Sequence, residues 1–311
     1  MKIVFLGTSG SMPTQSRSSS AIAMRRKGEI IFFDCGEGTQ RRMVEAHIGF
    51  RRHTRIFISH LHGDHVLGLP GLIQTMTLLQ RGRPLHIYGP EGIVAFVKAF
   101  SSVLGGPGFT VKIYEISSEG LVFQGSEYDV RAVEADHDGP SWSYVLLEHP
   151  RPGRFHPEKA RDLGVPEGPL WGRLQHGEDV ELGGGRVVRS RDVVDAPREG
   201  FKIVYSGDTR PTEALVEAAS GADVLIHEAT FDDSLACKAD ENRHSTVTQA
   251  AMVAREAGVG ALILTHISSR YPDASVLLEE AIETFPNTII AEDLLELELP
   301  LDESHQRPEQ P

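Results

Sequence analysis

Ser59-His60-Leu61-His62-Gly63-Asp64-His65 follows directly on the apolar, β-prone run Arg55-Ile56-Phe57-Ile58, and its reading decides the fold. Four side chains able to hold a metal are packed into six residues at the exit of an expected strand. In extended backbone, residues two apart point the same way, so His60 and His62 can share one ion. Gly63 lets the chain turn, and Asp64 and His65 then face a second position. Val66 to Gln80 is mostly apolar and predicts a helix with Pro70 early in it, which puts Asp64 beside helix N-terminal amides that favour a carboxylate. Imidazole and carboxylate without cysteine suit Zn²⁺ best, with Mn²⁺ or Fe as alternatives.

Working outward, histidines and aspartates recur where strands are expected to end. Met1 to Gly7, Ser20 to Met24 and Glu29 to Phe33 predict strands, the first followed by the small-residue loop Gly7 to Thr14 and the last by Asp34-Cys35-Gly36-Glu37-Gly38-Thr39-Gln40 and a helix through Gln40 to Ala46. Strands are then expected at Leu85 to Tyr88, Val111 to Ile116, Tyr128 to Ala135 and Trp142 to Glu148, with a helix over Glu91 to Val103. Beyond residue 200, strands at Phe201 to Ser206, Asp223 to Ile226, Ala261 to Thr265, Thr288 to Ala291 and Leu294 to Leu299 alternate with helices at Glu213 to Ser220, Thr246 to Ala257 and Ser275 to Thr284. His60, His137, Asp208, His227 and His266 all stand at such exits, and layered α/β architectures gather ligands there. The fold class is therefore α/β: two packed sheets with helices outside. The ligand count closes as His60, His62 and His137 on one ion, Asp64, His65 and His266 on the other, with Asp208 between them.

Each ion keeps an open position in that division, as a catalytic site requires. Water held between two ions about 3.5 to 4 Å apart is a strong nucleophile at neutral pH. Two Zn²⁺ against two carboxylates and one hydroxide leave a positive balance, which favours an anionic centre such as a phosphodiester and leaves neutral amides open.

Bulk composition bounds the rest. The 311 residues can bury a large core, and the formal net charge of −13 excludes a protein that coats nucleic acid by charge alone, though not a focused basic groove. Cys35 and Cys237 are too few for a disulfide framework; no apolar run approaches the roughly 20 residues of a membrane span, and Met1 to Gly7 is too short for a secretory signal. A cytoplasmic protein with no membrane contact is expected. From about Glu148 to Gly200 the chain turns rich in Pro, Gly and charge with few apolar runs to supply a core, and an insertion projecting from the body is expected. The polar tail from Asp302 to Pro311 is expected to be disordered.

The motif Ser59 to His65 with His137, Asp208 and His266 resembles the metallo-β-lactamase superfamily. Phe5 to Gly10, Asp34 to Gln40, Tyr205-Ser206-Gly207-Asp208-Thr209, His227-Glu228-Ala229-Thr230 and His244-Ser245-Thr246 narrow the resemblance to the tRNase Z family, over about residues 1 to 300. That likeness implies an αβ/βα four-layer sandwich and a zinc-dependent endoribonuclease that removes the 3′ trailer from precursor tRNA through hydroxide held by two Zn²⁺ per subunit, with no organic cofactor. It implies Asp64 as general base, and Glu228 with His244 as the acid pair that protonates the departing ribose oxygen. By the same likeness, residues 148–200 form a flexible tRNA-gripping arm in a homodimer, offering Arg151, Arg154, Lys159, Arg161 and Arg173 to phosphates, while Ser268 and Arg270 contact phosphate near the cut. A dimetal hydrolase of a small substrate, such as a cyclic phosphodiester, arylsulfate, lactone or thioester, is the alternative. His47, His53, His86, His149, His156, His176 and His305 are expected at the surface or in local hydrogen bonds.

Overall fold

Two seven-stranded sheets face each other in the computed structural model, which describes residues 1–299. In spatial order the first holds Glu296–Glu298, Lys2–Gly7, Ala21–Arg26, Glu29–Phe33, His53–Phe57, Leu85–Pro90 and Val111–Ile116. The second holds Thr288–Ile290, Ala261–Thr265, Val224–Glu228, Lys202–Tyr205, Trp142–Glu148, Tyr128–Glu134 and Gly120–Gln124. Each sheet is mixed, antiparallel on one side and parallel on the other.

Alternation along the strands builds the layers. Ile3, Phe5, Ile22, Ile31, Phe33 and Phe57 point inward with Tyr144, Leu146, Ile203, Tyr205 and Ile226 of the facing sheet, forming the central core. Their neighbours Val4, Leu6, Ala23, Ile30, Phe32 and Ile56 point outward under the helices Thr39–Glu45, Gly68–Leu78 and Ile93–Leu104. Val204, Leu225, Leu262 and Leu264 do the same beneath Glu213–Ala219, Val247–Ala257 and Ser275–Thr284. Helix, sheet, sheet, helix is the four-layer sandwich that the sequence leads one to expect.

The helix expected over Val66 to Gln80 is in fact two pieces, Gly63–Val66 and Gly68–Leu78, with Pro70 in the first turn of the second, where its missing N–H costs nothing. The strand Gly120–Gln124 has no counterpart in the sequence reading; a register shift between Leu121 and Phe123 breaks its alternation.

Residues 149–200 correct a second expectation, that this stretch lacks a core of its own. Its two ends pair as a ribbon, Arg151 with Arg198 and Phe155 with Val194, and Gly153 lies so close to the opposite backbone that a Cβ would meet Asp195 O at 1.9 Å. Beyond the ribbon, the helices Pro157–Asp162, Pro169–Gln175 and Ser190–Val193 and the hairpin Val180–Leu182/Arg186–Val188 enclose Ala160, Val165, Leu174, Val180, Val188 and Val193. The tail from Asp302, and His305 within it, lie outside the described residues.

Candidate active site

The site forms where the strand ends of both sheets meet, and backbone hydrogen bonds fix the motif there. Asp34 N donates to Phe57 O, Cys35 N to His65 O and Gly68 N to Cys35 O, so the end of Glu29–Phe33 is laced to the turn at Ser59 to Gly68. A side chain on Gly36 would lie 2.2 Å from Asp64 O, which is why no other residue fits against that turn. Gly10 plays the same part opposite, since its Cβ would come within 2.9 Å of His266 Nδ1.

All seven residues expected to hold metal meet. His60, His62 and His137 offer ligand atoms within 4.8 Å of one another, as do Asp64, His65 and His266, and as do His60, His65 and Asp208. Asp208 Oδ2 stands between the halves, 3.7 Å from His60 Nε2 and 4.0 Å from His137 Nε2 on one side, 3.3 Å from His65 Nε2 and 3.2 Å from His266 Nε2 on the other.

Hydrogen bonds behind the rings decide which nitrogen faces inward. His65 Nδ1 donates to Asp34 Oδ2 at 2.7 Å, and His137 Nδ1 to Arg243 O at 2.9 Å. Ser59 Oγ gives its only proton to Asp34 Oδ2, so it accepts from His60 Nδ1 at 3.0 Å. Thr230 Oγ1 likewise gives its proton to Glu228 Oε2 and accepts from His266 Nδ1 at 2.9 Å. In four rings, then, Nδ1 carries the proton and Nε2 presents a lone pair to the centre, the state a metal needs.

Other contacts make sense only with a cation between the groups. His65 Nε2 and His266 Nε2 lie 3.3 Å apart, although both carry lone pairs and lone pairs repel. His60 Nε2 and Asp208 Oδ1 are buried with no hydrogen-bond partner. Residues of this type and spacing fit a divalent metal centre.

The surroundings tune the charges. Burial holds His60 well below the ordinary histidine value and lowers His62 as well, so both rings stay neutral and able to ligate. Asp64 Oδ2 lies 3.3 Å from His266 Nε2 and 3.5 Å from His65 Nε2, so its carboxylate faces the same inward lone pairs and calls for the same cation. Asp208 Oδ2 is buried and stands in the same position, 3.3 Å from His65 Nε2 and 3.2 Å from His266 Nε2.

Glu228 and His244 stand beside this centre, His244 Nδ1 donating to Glu228 Oε1 at 2.7 Å. Glu228 Oε1 also accepts from Thr209 N, and Oε2 from Thr230 N and Thr230 Oγ1, so its lone pairs are full and it has none for a metal. Burial pulls the His244 pKa down, yet Glu228 pushes it up to about 9.

A cavity of about 530 Å³ opens over the centre, lined by His62, His137, His244, Lys238, Ser268 and Arg270 among others. Ser268 and Arg270 thus face the space beside the centre. His227 does not join: it is buried, with Nδ1 donating to Glu228 O. Of the arm cations, Arg161 is paired with Glu167 and Arg173 with Glu178, while Arg151 lines the cleft at the arm's root together with Arg189 and Arg191. His156 is held between Glu158 and Asp195, and His86 lies against Tyr114.

Sequence reasoning missed Asp34, Ser59, Thr230 and Lys238. Asp34 accepts from Ser59 N, Ser59 Oγ, His65 Nδ1 and Tyr205 OH and is fully buried. Its place at a strand exit was the available signal, since the other strand exits carry ligands.

Comparison with known proteins agrees with this geometry. A family model described as beta-lactamase superfamily domain matches residues 192–267, and one described as anti-Pycsar protein Apyc1 matches residues 1–101. Ribonuclease Z of Methanosarcina mazei is 50% identical over 302 residues, covering 96% of this chain and 98% of its own. Ribonuclease Z of Haloferax volcanii is 48% identical over 307 residues, covering 98% and 96%. The crystal structure of human tRNase Z, short form, superposes with a TM-score of 0.71 at 28% identity over 97% of this chain and all of that one.

Proposed function

The chain belongs to the ribonuclease Z family, the endoribonucleases of tRNA 3′ processing, and on that premise we propose how its residues cut a precursor tRNA. His60, His62 and His137 would hold one divalent ion, Asp64, His65 and His266 a second, and Asp208 would serve both. Two zinc ions bound there, with Mn²⁺ or another divalent ion as the alternative, supply water activated at neutral pH and positive charge to balance the phosphodiester.

The chain's own groups do the rest. Asp64, anchored by a hydrogen bond from Ser11 N at 2.7 Å, accepts the proton of the attacking water. Attack at phosphorus breaks the bond to the ribose 3′ oxygen. His244, whose Nδ1 proton is committed to Glu228, gives the departing oxygen the proton on Nε2. The products are a tRNA with a 3′-hydroxyl and a trailer with a 5′-phosphate. Lys238, Ser268 and Arg270 line the cavity where the flanking phosphates would lie.

Arg151, Arg154, Lys159, Arg161 and Arg173 of the lobe at residues 149–200 are read as contacts to the body of the tRNA; a lobe with its own core beyond a two-stranded ribbon supports this. A homodimer would let one subunit's arm present tRNA to the other's centre. Leu78, Val103 and Leu104, at 82%, 82% and 54% exposure on adjoining helix ends, offer an apolar face for it. No helix among the described residues is long and apolar enough to cross a membrane. Cytoplasmic residence, with access to newly made precursor, completes the reading.

The observation that carries the proposal is the convergence of four Nε2 lone pairs on Asp208 Oδ2, with a charged histidine alongside. Incubation with a trailer-bearing precursor tRNA, followed by mapping of both new ends, tests it. A 3′-hydroxyl on the tRNA, a 5′-phosphate on the trailer and arrest by a chelator are expected. A 3′-phosphate or cyclic phosphate, or cleavage that survives the chelator, would overturn it.

A further inference from the structure

Thr230 sits between two groups that the reaction uses separately. Its hydroxyl lies 2.6 Å from Glu228 Oε2 and 2.9 Å from His266 Nδ1. An ionised carboxylate has no proton to give, so the hydroxyl proton goes to Glu228 and the oxygen is left to accept from His266. The third neighbour, His244 Nδ1 at 3.4 Å, is already turned to Glu228 Oε1 at 2.7 Å. Thr230 is buried, with 4% exposure, so no bulk water competes for these bonds.

We propose that Thr230 is a positioning residue that ties His266 to the Glu228–His244 pair, so that the ring presented to the metal is oriented through one hydroxyl from the carboxylate that also holds the proton donor. The inference rests on the metal centre proposed above. A chain of donors runs from His266 Nδ1 to Thr230 Oγ1 to Glu228 Oε2, and Glu228 Oε1 takes the bond from His244. Metal-ligating histidines ordinarily lean on a carboxylate or a carbonyl. Here the carboxylate is reached through an adaptor, which makes the hold on His266 conditional on Glu228.

An equivalent arrangement stands behind His60, where Ser59 Oγ accepts from His60 Nδ1 and donates to Asp34 Oδ2. That pair ends at a carboxylate that serves only the metal side; the Thr230 link ends at the acid. The link is also separable from support of Glu228, because Thr230 N, Thr209 N and His244 Nδ1 bind that carboxylate whatever the side chain at 230. Removing the hydroxyl should therefore spare the acid pair's geometry more than it spares His266. If Glu228 becomes an amide, its N–H can turn to the hydroxyl, whose proton then swings toward His266 Nδ1 and displaces the bond there.

Zn²⁺ affinity of the metal-free full chain, measured by titration against a competing chelator without RNA, tests this. Thr230→Val should weaken binding roughly ten- to a hundredfold, the usual range for loss of a ligand's outer support, while Thr230→Ser recovers most of it. Glu228→Gln should weaken binding in the native background and add little once Thr230→Val is present. Thr230→Val should also lower kcat more than it raises KM. Unchanged affinity in Thr230→Val, or losses in the two variants that simply multiply, would overturn the link. Should Thr230→Val melt below the assay temperature, the Ser variant decides: it must keep the sensitivity to Glu228→Gln, and its loss there refutes the proposal. Failure of the native chain to bind Zn²⁺ at all would instead sink the metal centre on which the inference stands.

Discussion

His244 keeps its charge because Glu228 lies 2.7 Å from Nδ1 in a buried setting, and the consequence is a direction for the pH dependence. The imidazolium is present below its raised value of about 9 and is lost as pH climbs through it. Cleavage of a ribose phosphodiester needs that proton, so its rate should fall on the alkaline side. Glu228→Gln removes the charge that raises the histidine, and the alkaline limb of kcat/KM should move to lower pH, toward the ordinary histidine value near 6.5. His244→Ala should cost roughly a hundredfold or more with precursor tRNA. The same variant should cost little with a nitrophenyl phosphodiester, whose leaving group departs without a proton. Equal losses on both substrates would show that His244 serves the metal centre and not the leaving group.

Elements show what the sequence could and could not carry. The strand ends were legible because periodic apolar runs stop at His60, His137, Asp208 and His266, and a strand's length is a local property. Asp34, Ser59 and Thr230 were harder to read, since each acquires its role from hydrogen bonds at the ends of neighbouring strands, Asp34 with Ser59 and His65, and Thr230 with His266. The core at residues 149–200 escaped for a different reason: Ala160, Val165, Leu174 and Val180 stand singly between polar, Gly or Pro neighbours, and Val188 and Val193 only in the pairs Val187-Val188 and Val193-Val194, with no longer run or period to betray them. That core makes the lobe a folded object. Leu174→Ala removes a fully buried side chain and should cost the lobe about 2–5 kcal/mol. Binding of precursor tRNA, read as KM, should then weaken while turnover of the nitrophenyl phosphodiester is kept. Deleting residues 150–198 should go further and abolish precursor cleavage alone. Loss of both activities, or of neither, would remove the lobe from tRNA recognition and favour a small substrate.

At the scale of the whole molecule, a chain with net charge −13 acts on a polyanion, so attraction must come from local cations and from the metal centre rather than from the overall field. A second copy of the chain would add its arm to that local attraction. Leu78→Asp, on the exposed apolar face, should convert a dimer to monomers by sedimentation velocity and reduce precursor cleavage while sparing the nitrophenyl substrate. A native chain that sediments as a monomer while processing precursor at full rate would refute the shared arrangement.

Metal content of the purified, active protein is the most direct test of all, because every proposed step depends on the donors gathered round Asp208. Elemental analysis should find two equivalents of divalent metal per chain, falling to one or fewer in Asp208→Ala together with the loss of cleavage. Full activity in a preparation holding less than about a tenth of an equivalent would contradict the account.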